Sequence, residues 1–182
     1  SVKWYPAWGE ERMSKMIEDR NDWCISRQRT WGVPIPVFYC KDCEKEYVTP
    51  ESLDKVQGIV KEQGTNAWFG LSEEELMPAG AKCECGCTNF KKGTDIMDVW
   101  FDSGSTHESV LAERGLPEAD MYLEGSDQYR GWFQSSLLTS VAVKGKAPYK
   151  EVLTHGYTVD EQGRKMSKSI GNVVAPQEII KE

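Results

Sequence analysis

Three shortages narrow what this chain can be. No apolar run approaches the roughly 18 residues that a membrane-spanning helix needs, and the first residues lack the basic, apolar and small-residue blocks of a signal peptide. The chain therefore reads as neither a helical membrane protein nor a secretory precursor, and a cytoplasmic setting without a membrane partner is expected. Positive charge is short as well: 22 Lys and Arg against 29 Asp and Glu leave a net charge of -7, which excludes a basic nucleic-acid clamp and confines any such contact to a local patch. Histidine is scarce, with two in the chain. His107 has no second histidine near it, so it reads as a surface or hydrogen-bonded residue rather than a metal ligand.

What is present suffices for a core. The 182 residues are 39% hydrophobic and 28% charged, with seven tryptophans, a balance that folds rather than staying disordered. One large lobe and one small one fit this length. The segment from Lys41 to Glu84 is acidic, whereas the lysines and arginines between Lys144 and Lys168 form the one basic region, the candidate surface for phosphate. Ser1–Trp4 reads as the middle of a sequence and Glu178–Glu182 as a helix cut short, so a piece of a longer polypeptide is expected.

Six cysteines in a reducing setting are poor disulfide candidates, and their clustering points to metal. Cys40-Lys41-Asp42-Cys43 is a Cys-x2-Cys pair, and Cys83-Glu84-Cys85-Gly86-Cys87 supplies its partner. Zinc takes four tetrahedral sulfur or nitrogen ligands, and two such loops present two thiolates each, as in a zinc ribbon. In the second loop Cys83 and Cys85 are the expected ligands, because Gly86 allows a tight turn whose amides point at sulfur; Cys87 remains a substitute. Cys24 stands apart and is expected to pack as a small apolar residue.

Met13, Met16 and Ile17 at helical spacing behind Glu10 and Glu11 predict a short amphipathic helix over 9–20. Pro34 and Pro36 force an extended chain, and Trp23 and Trp31 read as core aromatics. Thr49-Pro50-Glu51 starts a helix to about Gln63, with Leu53, Val56, Ile59 and Val60 on one face and Gly64 at its end. Ser72–Leu76 reads as a short capped turn. Residues 95–107 read as a buried strand ending in a Ser103-Gly104-Ser105 loop. Residues 119–133 read as strand, tight turn and helix, the helix buried on the sheet as far as Val143, and residues 150–160 as the next strand with a hairpin-like loop. In an open parallel sheet ligands sit at the carboxyl ends of strands, here Glu124–Gln128 and His155-Gly156. A carboxylate at Glu124 can bind an ammonium group or simply complement a helix capped by Ser126 or Asp127, and Gly156 lets a purine approach the backbone.

The stretch from Gly163 to Gly171 carries Lys165 and Lys168 three apart among small hydroxyl residues, the composition of a mobile cationic loop. Lysine is a compact charge on a flexible stem and can follow phosphate charge that grows during a reaction. A solvated surface loop is the plain alternative. The string Lys165-Met166-Ser167-Lys168-Ser169 is similar to the second signature loop of class I aminoacyl-tRNA synthetases, which activate an amino acid with ATP and pass it to tRNA. The run from Asp22 to Pro36 resembles the segment by which members for branched aliphatic amino acids return from their editing insertion into the catalytic domain. Within that group Arg29-Thr30-Trp31-Gly32-Val33-Pro34 is most similar to the isoleucine-specific enzymes, with the valine-specific ones as the alternative.

The resemblance implies an α/β fold: the second half of a Rossmann-like class I catalytic domain with a small zinc-ribbon insertion. Residues 1–37 would return from the editing insertion, 38–92 form the zinc-binding insertion, and 93–182 complete the catalytic domain. It implies isoleucine, ATP with magnesium and tRNA(Ile) as partners of a monomeric parent enzyme, with zinc as cofactor. Lys165 and Lys168 would act on the phosphates, Lys168 foremost. Glu124 would take the amino group of the aminoacyl adenylate, Trp132 would lie beside its side chain, and Asp127 and Gln128 would add contacts. Trp100 would help wall the amino-acid pocket, and His155 and Gly156 would border adenine. A general base at His155 is not required, because the substrate carboxylate is already a nucleophile. The first signature of the class, His-x-Gly-His, is absent from this sequence, so the chain alone is expected to be inactive. A non-enzymatic, zinc-stabilised binding module is the rival from another class.

Overall fold

A computed structural model describes residues 1–181, and the chain divides into two compact units, one of Ser1–Trp23 with the chain from Ser103 onward, the other of Cys24–Asp102. In chain order the elements are β1 (Lys3–Tyr5), α1 (Trp8–Glu18), β2 (Ser26–Arg27), β3 (Phe38–Cys40), β4 (Glu46–Tyr47), α2 (Pro50–Gln63), α3 (Ala67–Gly70) and α4 (Glu73–Leu76). There follow β5 (Phe90–Lys92), β6 (Ile96–Met97), α5 (Val99–Gly104), β7 (Ala119–Gly125), α6 (Trp132–Lys144), β8 (Tyr149–His155) and α7 (Pro176–Ile180). The helix read over 178–182 begins earlier, at Pro176, and Glu182 lies outside the described residues. No helix among the described residues is long and apolar enough to cross a membrane.

The first unit is built on a parallel sheet in the order β1-β8-β7, with Val152 of β8 opposite Trp4 on one side and Tyr122 on the other. Its core gathers Met13, Tyr122, Tyr129, Phe133, Tyr149 and Val152. The expected amphipathic helix is α1, with Met13 buried and Glu10 and Glu11 in its first turn. α6 is buried as expected, and its inward side is largely polar: Phe133, Gln134, Ser135, Ser136, Thr139 and Ser140 are buried, while Val141 and Val143 are exposed. Small side chains permit a close approach of backbones here. A Cβ on Gly104 would lie 2.8 Å from the carbonyl of Ser135, and the Thr139 hydroxyl donates across this contact, with Oγ1 2.9 Å from the Gly104 carbonyl oxygen.

The second unit holds an antiparallel sheet in the order β4-β3-β5 and a separate antiparallel pair, β2 with β6. Its core consists of Phe38, Cys40, Val56, Trp68, Leu76, Met77, Cys83 and Phe90. Trp68 is fully buried, packs on Phe38 at 5.0 Å between ring centroids and donates its indole N–H to the Gly93 carbonyl. α2 runs over the predicted span: Thr49 and Ser52 form a reciprocal cap, Pro50 opens the first turn and Gly64 closes the helix at φ 79°, where a cap of this kind stabilises by about 1 kcal/mol. Leu53 was expected on the packed face but is exposed, and Ser52 takes the buried place beside Val56. Ser72–Leu76 forms the capped turn, with Ser72 and Glu75 reciprocating.

Three other expectations fail. Residues 95–107 form no long strand: β6 is two residues, and the Asp98 carboxylate then accepts from the Trp100 N–H at 3.0 Å and starts α5. The Ser-Gly-Ser run is helical because Gly104 is needed for packing rather than for a turn. Trp31 is no core aromatic; it is 92% exposed. Cys24 is exposed rather than packed.

Candidate functional site

The two thiol turns converge inside the second unit. Cys40 ends β3, and the chain folds back at once: the Glu44 N–H donates to the Cys40 carbonyl, the Cys40 N–H donates to the Lys45 carbonyl, and Glu44 takes φ 59°. Across from it the Gly86 N–H donates to the Cys83 carbonyl at 2.8 Å, with Gly86 at φ 95°, the tight turn that its sequence position suggested. The Sγ atoms of Cys40, Cys43, Cys83 and Cys85 all lie within 4.8 Å of one another, with Cys40–Cys85 at 3.6 Å and Cys43–Cys83 at 3.5 Å. A tetrahedral ion with metal–sulfur bonds of ~2.3 Å spaces its sulfurs about 3.8 Å apart, so these four thiols could hold a metal ion. Cys87 stands outside the group, its sulfur accepting from the Asn89 N–H at 3.2 Å.

Protonation in the cage is uneven. The Cys43 amide above all, with the Asp42 amide, holds Cys40 down at about 6 against burial. At Cys85 the Cys87 amide pulls the same way, but burial and the Cys40, Cys43 and Cys83 thiols outweigh it and push the group up to about 12. Thiolates this close repel one another, and a divalent cation is what would let all four ionise together.

In the first unit β7 and β8 end side by side, Glu124 opposite Thr154 and Gly125 opposite His155. Gly125 is the floor of this end of the sheet: a Cβ there would meet Asp127 Oδ1 at 2.7 Å and His155 Cε1 at 3.5 Å, so glycine is what leaves room for both side chains. Glu124 is half-buried, and its carboxylate makes no hydrogen bond or ion pair among the described residues. Gln128 ties the turn to the helix, accepting from the Trp132 N–H at 2.9 Å and donating to Asp127 Oδ2 at 3.0 Å. Trp132 is fixed twice, stacked on Tyr122 at 3.9 Å with 9° between the rings and donating its indole N–H to the Ser103 carbonyl. His155 is exposed with Nδ1 2.7 Å from the Gly156 carbonyl oxygen, and Gly156 has open space where a Cβ would be. Trp100 belongs to the other unit, where it is 40% exposed.

The lysine loop leaves β8 and doubles back, with Val159 bridged to Lys165. It is a fastened hairpin rather than the free loop that its composition suggested. Asp160 Oδ1 accepts from the Gln162 and Arg164 amides, and Oδ2 accepts from Arg164 Nε and from Asn172 Nδ2 at 2.8 Å. Those donors, Asn172 first, hold the Asp160 carboxyl below its ordinary range. The Lys165 ammonium sits 3.5 Å from the Tyr157 ring centroid, and the Lys168 side chain is exposed. Sequence reading passed over Asp160, Asn172, Tyr157 and Tyr122. The Asp160–Gly163 spacing of an Asx turn was the one available signal.

A parallel sheet carrying its polar groups at the strand ends, followed by this lysine hairpin, is the architecture of a class I synthetase domain, and the chain belongs to that family: the model for tRNA synthetases class I (I, L, M and V) matches residues 1–182. Among curated proteins it is similar to the isoleucine–tRNA ligase of Caldanaerobacter subterraneus subsp. tengcongensis, 62% identical over 100% of this chain and 20% of that protein. It is similar also to the isoleucine–tRNA ligase of Caldicellulosiruptor saccharolyticus, 62% identical over 100% of this chain and 20% of that protein. The chain thus spans about a fifth of the length of these relatives. Among solved structures, the LeuRS agnB2 of Agrobacterium radiobacter K84, in a ternary complex with tRNA and LeuAMS, shares the fold with a TM-score of 0.59 and 22% identity, over 94% of this chain and 26% of that one.

Proposed function

We propose that this chain is the second half of the catalytic domain of an isoleucine–tRNA ligase. The observation that carries the reading is identity of about 60% with such ligases over the whole chain, and the lysine hairpin and strand-end cluster support it. In the reaction the isoleucine carboxylate attacks the α-phosphorus of ATP, a new C–O–P linkage forms as pyrophosphate leaves, and the aminoacyl group passes to the 3′ end of tRNA(Ile). ATP enters with magnesium, and the parent works as a cytoplasmic monomer.

Each residue is assigned by charge and position. Glu124, a carboxylate at the end of β7 with no partner among the described residues, holds the isoleucine ammonium, with Asp127 and Gln128 beside it and Trp132 against the side chain. His155 and Gly156 border adenine, where the open space over Gly156 suits a flat base. Lys168, and Lys165 once it leaves Tyr157, stabilise charge that grows on the phosphates. Cys40, Cys43, Cys83 and Cys85 hold one zinc, which ties two turns together and takes no part in the chemistry.

The test uses a full-length synthetase that carries this chain. Lys168→Ala should slow adenylate formation about 100-fold while leaving isoleucine binding intact, because its partner is charge present in the transition state. Glu124→Ala should instead weaken isoleucine binding, because the ammonium is present throughout. Single-turnover adenylate formation with varied isoleucine separates the two. A Lys168→Ala enzyme altered only in its isoleucine dissociation constant would contradict the phosphate assignment.

A further inference from the structure

We infer that Asp160 and Asn172 act together as the positioning pair of the lysine hairpin, an inference that rests on the phosphate role assigned to Lys168 above. The pair joins the two limbs of the loop: Asn172 Nδ2 donates to Asp160 Oδ2 at 2.8 Å and lies 3.2 Å from the Lys165 carbonyl oxygen, while Asn172 Oδ1 accepts the Ser167 N–H at 2.9 Å. One side chain thereby fixes the backbone on both sides of Met166. From the other limb Asp160 fixes the Arg164 amide at 2.8 Å. Lys165 is thus anchored before and after. Ser167 in turn starts a helical turn, since the Ile170 and Gly171 amides both donate to its carbonyl, and Lys168 is the first residue inside that turn.

The side chain of Asp160 is only 9% exposed although it sits in a surface loop, and its carboxylate is shared among two backbone amides, a guanidinium and the Asn172 amide. A loop that merely displayed positive charge would need no such buried acceptor. The arrangement fixes the peptide backbone without engaging either lysine ammonium, so little backbone freedom remains to be lost when phosphate arrives. Asp160 cannot be exchanged for its amide without loss, because Asn offers one acceptor oxygen where two are used.

The experiment measures single-turnover adenylate formation and local amide exchange in a full-length synthetase carrying this chain, with Asp160→Asn, Asn172→Ala, the double variant, and each single variant combined with Lys168→Ala. Each single variant should slow adenylate formation about 10-fold at saturating ATP with isoleucine affinity unchanged, and should speed exchange at Gln162, Arg164 and Ser167 alone. The double variant should be no slower than the worse single one, and each single variant should slow the Lys168→Ala enzyme, where Lys165 alone remains to be positioned, by less than it slows the parent. Additive losses, or losses shared by isoleucine affinity and by exchange across the sheet, would show an ordinary stability role and overturn the inference. An unchanged rate in Asp160→Asn beside a slow Lys168→Ala sinks the positioning pair alone. A full rate in Lys168→Ala sinks the phosphate reading and the pair with it.

Discussion

The two units are closed by opposite means. In the Cys24–Asp102 unit an apolar core of Phe38, Trp68, Leu76 and Phe90 runs directly into Cys40 and Cys83, so two of the four gathered thiols are themselves core residues. In the unit with the parallel sheet, hydroxyl-bearing residues of α6 and a buried histidine fill the space beside the aromatic core, and the lysine loop is fastened by Asp160 and Asn172. The first arrangement aims the backbone so that the reactive sulfurs converge. The second fixes the backbone of the lysine hairpin and leaves the Lys168 side chain exposed. A core this small stabilises only marginally by itself, so a cross-link at the four thiols would add most there, whereas in the sheet unit it is a buried histidine, His107, that can titrate.

Removing metal should break this comparison most severely. The purified chain should carry about one zinc, and Cys40→Ser, Cys83→Ser or Cys85→Ser should each lose it and unfold the Cys24–Asp102 unit, because ligation contributes on the order of 10 kcal/mol to folding. Chelation should do the same and leave the sheet unit folded. Cys87→Ser, with its sulfur on Asn89 outside the cage, should retain metal. Metal analysis with thermal unfolding decides the matter; metal loss in Cys87→Ser with retention in Cys85→Ser would reassign the fourth ligand.

How far each unit could be read from its sequence follows the same division. Thiol spacing, the Thr49-Pro50 start and the Ser72–Glu75 cap are local rules, and each forms within a few residues of where its signal stands. The strand-end positions of Glu124 and His155 were legible because strand, turn and helix follow in order. What escaped depends on residues distant in sequence. The helical fate of residues 99–104 goes with Gly104 meeting Ser135, and the buried face of α6 is polar because that contact demands small side chains. The fastening of the lysine loop needs Asn172 to return to Asp160, twelve positions away.

Two tryptophans sharpen the comparison at intermediate size. Trp68→Ala empties the centre of the smaller core and strands the Gly93 carbonyl, and should cost about 3–5 kcal/mol. Trp31→Ala, at a side chain 92% exposed, should change stability by less than about 0.5 kcal/mol. Chemical denaturation of the metal-loaded protein checks both; equal costs would mean that exposure is no guide to energetics in this unit.

The smallest effect, and the one specific to the sheet unit, concerns His107. His107 is only 2% exposed, and Nε2 lies 3.0 Å from Thr139 Oγ1, whereas Nδ1 is buried with no partner among the described residues. Because the Thr139 hydroxyl has carbonyl acceptors at Gly104 and Ser135, the neutral ring can donate from Nε2 and keep Nδ1 bare. Protonation would add a buried N–H with nothing to receive it. Burial first, and then the Lys144 ammonium, lower the histidine below its ordinary value of 6.5, with Glu108 opposing them. The folded state therefore binds this proton less readily than the unfolded state. The stability it contributes is complete above about pH 6.5 and is lost as pH falls through the lowered folded value. Amide exchange of α6 should accordingly speed up between about pH 7 and pH 5.5, after correction for intrinsic rates, and His107→Gln should flatten that dependence while keeping a donor for Thr139. If the slope survives in His107→Gln, the acid sensitivity of this unit lies with another group.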